Sequence, residues 1–110
     1  MAKFVKGDIV VIPFPFSDLS GSKRRPAFVV KDLPGDDSIL CQITSVSKSD
    51  IFALPLDGTD FIHGSLPVAS FIRPNKIFTA DKSLVLYTAG HLSDAKTTEV
   101  INAVVAIIKN

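Results

Sequence analysis

The sequence predicts a small, mostly β protein that ends in one helix and forms a single domain over residues 1–110. Short apolar runs of strand length alternate with turn-forming residues, which is typical of a small barrel or sandwich. From Ser93 onward the apolar residues change to a helical spacing. Because 46% of the chain is hydrophobic, it can bury a core of its own without a disulfide or a metal.

Seven segments have the length and composition of β-strands. In the first, residues 8–16, Val10 and Ile12 alternate onto one face with two phenylalanines. Pro13 and Pro15 cannot donate ladder hydrogen bonds, so we expect the second half of this strand at an edge or a bulge. The other six predicted strands are residues 26–32, 38–46, 51–56, 65–72, 76–80 and 83–89. Polar loops are predicted at residues 17–23, 31–37, 47–50 and 57–65.

The C-terminal segment predicts an amphipathic helix that covers the open side of the barrel. Ser93 or Asp94 can cap its N-terminus, and Lys109 lies near its C-terminus, where the helix dipole favours a cation. Its wide apolar stripe, which is also broad enough to reach a second subunit, consists of Val100, Ile101, Val104, Val105 and Ile108.

Composition excludes several classes of function. The net charge is only +1, so an anion site must come from local clustering of cations. Cys41 is the single cysteine and no Cys/His cluster has metal spacing, so we expect no disulfide, metal or cofactor. The N-terminal "MAKFVKGD" has no signal-peptide core and no run is long enough to span a membrane. We therefore expect a cytoplasmic protein.

Three adjacent cations, Lys23, Arg24 and Arg25, lead into the second predicted strand. Arg25 precedes Pro26, which biases its backbone to an extended conformation. The planar guanidinium suits a phosphate group. The alternative is that these cations are solvated on an exposed loop and keep an edge strand from pairing.

The segment "GDIVVIPFPFSDLSGSKRRPAFVV", residues 7–30, resembles the N-terminal signature of the MazF/PemK family of bacterial toxins. The similarity continues at "CQITSVSK", "FIRPNKIFTADKSLV" and "YTAGHLSDAKTTEVINAV". The resemblance implies an SH3-like barrel with a C-terminal helix, a homodimer, and metal-independent, sequence-selective cleavage of single-stranded RNA, often mRNA. It also implies a cognate antitoxin, which we expect to be acidic because it must cover a cationic groove.

The resemblance also assigns residues. It marks Arg25 as catalytic, places Thr44 at the scissile phosphate, and makes Arg73 a third catalytic candidate. Some family members have an acidic residue two positions after that arginine, where this chain has Asn75. Residues expected to contact RNA are Ser22, Lys23, Arg24, Ser45 and Asn75.

Several of these residues also have a purely structural interpretation. Threonine is common in strands for its β-propensity alone, and Arg73 could be a surface cation paired with Asp81 or Asp60. His63 and His91 are chemically suited to acid catalysis, but as loop residues they are more often solvated or capping.

Two other classes of function share the predicted fold. A gyrase poison of the CcdB type relies on a tryptophan near the C-terminus, and this chain has none. A non-enzymatic SH3-like module that binds a protein or an antitoxin remains open because of Asn75.

Overall fold

Seven strands and one α-helix make up the computed structural model, which describes residues 4–14, 23–45 and 50–110. The elements are β1 (Asp8–Phe14), β2 (Lys23–Asp32), β3 (Asp37–Thr44), β4 (Leu54–Leu56), β5 (Phe61–Gly64), β6 (Ser70–Asp81), β7 (Tyr87–Leu92) and α1 (Asp94–Lys109). Short 3₁₀ turns lie at Gly58–Asp60 and Lys82–Leu84. The predicted fold class, mostly β with a C-terminal helix, is confirmed.

The seven strands form one curled, half-barrel sheet in the order β4-β6-β3-β2-β1-β7-β5, and each neighbouring pair is antiparallel. The first half of β1 pairs on both sides, but its pairing with β7 ends at Val11, whereas its pairing with β2 continues to Phe14. Pro13 therefore lies where β1 is paired on one side, as its missing N–H requires.

Each face of the sheet carries its own apolar cluster, because successive strand side chains point to opposite faces. On one face Ile9, Phe28, Cys41 and Ile72 pack with Val100 and Val104 of the helix, among others. We call this the helix face. The opposite face carries a smaller cluster built of Phe4, Val10, Ile12, Ala27, Val29 and Leu40.

The helix begins as the sequence predicts. Ser93 is the N-cap, and its hydroxyl accepts a hydrogen bond from the Lys96 backbone N–H at 3.2 Å. Of the predicted stripe, Val100 and Val104 are buried, but Val105 and Ile108 are 46% and 69% exposed. The described chain thus covers only part of the stripe.

Several predicted strand boundaries are wrong. The predicted strands at 65–72 and 76–80 form one strand, β6, because Pro74 lies in a bulge and does not end the ladder. β5 lies inside the predicted loop 57–65, where pairing with β7 overrides the turn residues. The strand expected at 83–89 begins at Tyr87. β4 begins at Leu54, since residues 51–53 do not join the ladder.

The basic cluster does not lie on a loop. Lys23, Arg24 and Arg25 are the first three residues of β2, because they extend its ladder with β1 opposite Phe14, Pro13 and Ile12. Residues 15–22, which include most of the predicted loop 17–23, lie outside the described residues, as do residues 46–49.

Candidate functional site

Polar side chains share the face opposite the helix, near the ends of β2, β3 and β6. Gln42 lies directly between Ala27 of β2 and Arg73 of β6. The β2–β3 ladder ends at Ala27 and Gln42, and Arg25 and Thr44, each two residues beyond that pair, project from the same face. Directly opposite residues project from the same face, with Cβ atoms about 4.5–5.5 Å apart. Register therefore gathers Arg25, Gln42, Thr44 and Arg73, which we call the polar face.

The polar face is partly withdrawn from solvent. Arg25, Gln42 and Thr44 are half-buried, and the Arg73 side chain is 26% exposed. Ile12 and Ala27 of the smaller apolar cluster lie beside Arg25 in the sheet. Since a lower local dielectric strengthens charge interactions, these cations can bind an anion more strongly than cations on an open loop.

Arg73 is held by a carboxylate. Its Nε donates to Asp50 Oδ2 at 2.7 Å, and the Asp50 side chain is only 11% exposed. The other carboxylate oxygen, Oδ1, accepts from the Phe52 backbone N–H at 2.9 Å. These two hydrogen bonds, with the Arg73 charge and a hydrogen bond from the Asn75 side chain, hold the pKa of Asp50 below its usual range. The carboxylate is therefore ionised at neutral pH.

Arg73 does form an ion pair, but the predicted partners Asp81 and Asp60 are wrong, because the partner is Asp50. Asp81 caps the 3₁₀ turn by accepting from the Ser83 backbone N–H at 2.8 Å. Asp60 accepts from the Asp57 backbone N–H at 2.8 Å and lies 3.9 Å from Lys96 Nζ. Asp81 and Asp60 therefore stabilise local structure, and Arg73 pairs with Asp50 instead.

A groove of about 340 Å³ adjoins the polar face at the start of β2. Its lining includes the three residues of the basic cluster and residues 66–68. Pro26 and Ile43 of the wall alternate with Arg25 and Thr44, so the groove opens mainly on the helix face. Residues that line it include Lys23, Arg24, Arg25, Ser45, Val68 and Tyr87.

The structure brings together most of the residues that the sequence singled out. Arg25, Thr44 and Arg73 share the polar face, and Asn75 contacts the carboxylate that holds Arg73. Lys23, Arg24 and Ser45 line the adjoining groove. Ser22 lies outside the described residues.

Sequence reasoning missed Asp50 and Gln42. Gln42 carried a usable signal, since it is a polar residue inside the apolar run "ILCQI" and is half-buried. Asp50 carried none, because its contact with Arg73 joins residues 23 positions apart.

The two histidines lie elsewhere, and in strands instead of loops. His91 of β7 places its Nδ1 2.7 Å from Asp8 Oδ1, and its ring stacks on His63 of β5 at 6.0 Å. Asp8 is four residues along β1 from Ile12, the partner of Arg25. This separates the histidine pair from Arg25 by about 13 Å along the strand.

Over residues 4–14, 23–45 and 50–110, no three His, Cys, Asp or Glu side chains are grouped so as to hold a metal ion. In that same part of the chain, no helix has both the length and the apolar character needed to cross a bilayer.

Solved structures share this half-barrel. The chain matches MazF of Deinococcus radiodurans (Form-I) with a TM-score of 0.77 and 18% sequence identity, covering 100% of both chains. It matches an endoribonuclease in complex with its cognate antitoxin, from a Mycobacterial species, with a TM-score of 0.74 and 14% identity over 97% of this chain and 96% of that one. At such identities the likeness shows the fold alone. No curated protein sequence matches the chain significantly.

The sequence itself shows the family. Residues 5–108 match the model of the PemK-like, MazF-like toxins of type II toxin–antitoxin systems. The chain therefore belongs to this family of toxins, as its motifs predicted.

Proposed function

We propose that the protein is a metal-independent endoribonuclease toxin that cleaves single-stranded RNA at short sequences. The observation that carries the proposal is the register of β2, β3 and β6, which gathers Arg25, Thr44 and Arg73 on one face. Two cations and a hydroxyl so arranged suit a phosphodiester. The proposal gains support from the endoribonucleases named among the structures that share the fold.

RNA supplies the nucleophile for this reaction. The ribose 2′-OH lies next to the phosphorus that it attacks. The 2′-oxygen loses its proton and bonds to phosphorus, while the bond from phosphorus to the 5′-oxygen breaks and that oxygen takes up a proton. The products are a 2′,3′-cyclic phosphate and a 5′-hydroxyl end. The protein must chiefly orient the phosphate and stabilise the charge that develops on its oxygens.

Arg25 is the main candidate for that stabilisation. It sits extended before Pro26, half-buried, with five N–H donors that can reach two phosphate oxygens at once. Thr44, on the same face of the sheet, offers a hydroxyl to the same phosphate. Arg73, which pairs with Gln42 two residues from Thr44, offers a second guanidinium. Lys23, Arg24, Ser45 and Asn75 would hold the flanking RNA, as would Ser22.

The test is cleavage of a long single-stranded RNA in EDTA by the wild type and by Arg25→Ala. We expect discrete fragments with 5′-hydroxyl ends, and a rate lowered about 10²–10³-fold in the variant, since a preorganised donor to a developing charge is lost. Lys31→Ala is the matched control, because Lys31 is an exposed cation near the other end of the same strand. An RNA with a 2′-deoxy group at the cleaved position should resist cleavage by the wild type and by the variants.

One observation favours a second function. Asn75 stands where some family members have an acidic residue, and an amide cannot accept a proton at neutral pH. A folded wild type that leaves several varied RNAs intact in the same assay would make this chain a binding module for a protein.

We also propose a cognate antitoxin with an acidic, apolar segment as a partner. The groove combines the exposed cations Lys23 and Arg24 with the exposed apolar side chains Val68 and Tyr87. Such a surface complements a segment of that chemistry. Structures that share the fold are described as complexes with an antitoxin, including MazE-MazF of Deinococcus radiodurans.

Charge reversal tests this partner. Lys23→Glu combined with Arg24→Glu should weaken binding of the cognate antitoxin at least tenfold, and raising the salt concentration should weaken wild-type binding. The control is Lys31→Glu with Lys109→Glu, which changes the net charge equally at exposed sites outside the groove. Affinity that is unchanged by salt and by the groove variant would contradict the proposal.

Two further proposals follow from family membership. We expect a homodimer, in which the exposed Val105 and Ile108 of the helix give apolar area for a second subunit. We expect a bacterial cytoplasmic location, where mRNA is available.

A further inference from the structure

Asp50 is an acidic residue that contacts the polar face through Arg73. The sequence motifs assign it no role. Its carboxylate reaches Arg73 from the segment that leads into β4, 23 residues earlier in the chain. The contact is 2.7 Å long, and both side chains are mostly shielded, with 26% of Arg73 and 11% of Asp50 exposed. An ion pair in this setting is far less screened than one on an open surface.

The atom that Asp50 engages matters for what Arg73 can do. The carboxylate accepts from Nε, and a guanidinium has four further N–H donors on its two terminal nitrogens. Fixing Nε holds the plane of the group while those donors can still face a phosphate. A bond to the terminal nitrogens would instead have competed with the phosphate.

Asp50 is itself held by its own loop. The Phe52 backbone N–H donates to Oδ1 at 2.9 Å, and the Asn75 side chain acts on the carboxylate from β6, which also lowers its pKa. The acceptor therefore cannot swing away without breaking its hydrogen bonds to Arg73 and Phe52. Asn75 is the neighbour that ties this carboxylate to the bulge next to Arg73.

We infer that Asp50 is a positioning residue for RNA cleavage: it fixes the Arg73 guanidinium, with Asn75 on its carboxylate, so that the terminal amino groups of Arg73 face the scissile phosphate. The inference rests on the proposed ribonuclease function. It gives Asn75 a role that an amide can fill, as a donor to the carboxylate. It also places a negative charge beside Arg73 at residue 50 instead of residue 75.

The main test separates the rate of cleavage from binding. Asp50→Asn keeps the shape of the side chain but removes its charge. It should lower kcat about 10- to 100-fold, because a small misplacement of a catalytic group is costly. Binding of a 2′-O-methyl RNA, which cannot be cleaved, should stay equal or tighten, since the variant removes a negative charge beside the phosphate. Asp36→Asn, at an exposed turn residue, is the matched control and should change neither value.

A relocated carboxylate provides the rescue. The Asn75 side chain already contacts Asp50, so a carboxylate at residue 75 can reach the same region. Asp50→Ala combined with Asn75→Asp should cleave at least tenfold faster than Asp50→Ala alone. Equal rates for these two variants, or a kcat of Asp50→Asn within twofold of the wild type, would overturn the inference. Thermal unfolding of each variant checks that it folds, and Asp50→Glu serves if the alanine variant does not.

A spectroscopic readout keeps the inference distinct from the proposed function. The Nε–Hε signal of Arg73 in a ¹H–¹⁵N spectrum should be visible and slow to exchange in the wild type, and lost in Asp50→Asn. If the wild type cleaves no RNA, the ribonuclease proposal fails, while this signal still reports whether Asp50 fixes Arg73. An Arg73 signal that is unchanged by Asp50→Asn would refute the positioning role in either case.

Discussion

Arg25 and Arg73 each precede a proline, and the two prolines act differently on the site. Pro26 keeps Arg25 extended inside β2, where the ladder with β1 fixes which face its side chain takes. Pro74 is fully buried and begins the bulge of residues 74–76, where the pairing of β3 steps from Ile77 to Arg73. The bulge brings Asn75 to the carboxylate of Asp50 without ending the strand.

Cys41 shows how burial alone sets the reactivity of one residue. It is fully buried under the helix face, and desolvation raises the pKa of its thiol to about 12, from an ordinary value of about 8.5. A raised pKa contributes stability that is complete below about pH 8.5 and is lost as the pH rises toward 12.

We therefore predict that folded protein at pH 8.5 resists alkylation of Cys41. At that pH the folded state has roughly a thousandfold fewer thiolates than the unfolded chain, and burial blocks the reagent as well. Labelling by iodoacetamide, followed by mass spectrometry, should proceed only after denaturation with urea. Ser65→Cys is the control, since residue 65 is exposed and its thiol should react at once. Rapid labelling of Cys41 in the native protein would contradict the burial described above.

At the scale of the elements, sequence periodicity predicted what depends on local pattern. Strand-like composition predicted a strand at residues 38–46, where β3 lies, and the capping serine predicted the start of the helix. The cation cluster was recognised, but its membership in β2 was not, because that depends on a partner strand.

Long-range pairing decided the features that the sequence did not reveal. β5 forms within a run of turn residues because β7 lies beside it, and its residues carry no clear alternation of their own. β6 passes through a proline because a bulge in its pairing with β3 accommodates the missing N–H. Asp50 meets Arg73 through the same tertiary arrangement. The resemblance to the toxin family thus predicted three members of the polar face, and the fold supplied the carboxylate that contacts one of them.

Across the whole molecule, the charge distribution concentrates any attraction for RNA in one region. The net charge is +1, yet Lys23, Arg24 and Arg25 are consecutive at the start of β2. Arg73 adds hydrogen-bond donors to this region but little net charge, since Asp50 neutralises it. Three charges that form no ion pair within the described residues should therefore dominate the release of counterions when RNA binds.

The salt dependence of binding measures that number. For a single-stranded 2′-O-methyl RNA, each neutralised phosphate contributes about −0.7 to the slope of log K against log salt, so three predict a slope of about −2. Arg24→Gln should reduce its magnitude by about 0.7, and Asp50→Asn should increase it by a similar amount because Arg73 is then uncompensated. Lys31→Gln should leave it unchanged, since that exposed residue lies outside the polar face and the groove. A slope near zero, or equal effects of Arg24→Gln and Lys31→Gln, would show that RNA does not bind at this cluster.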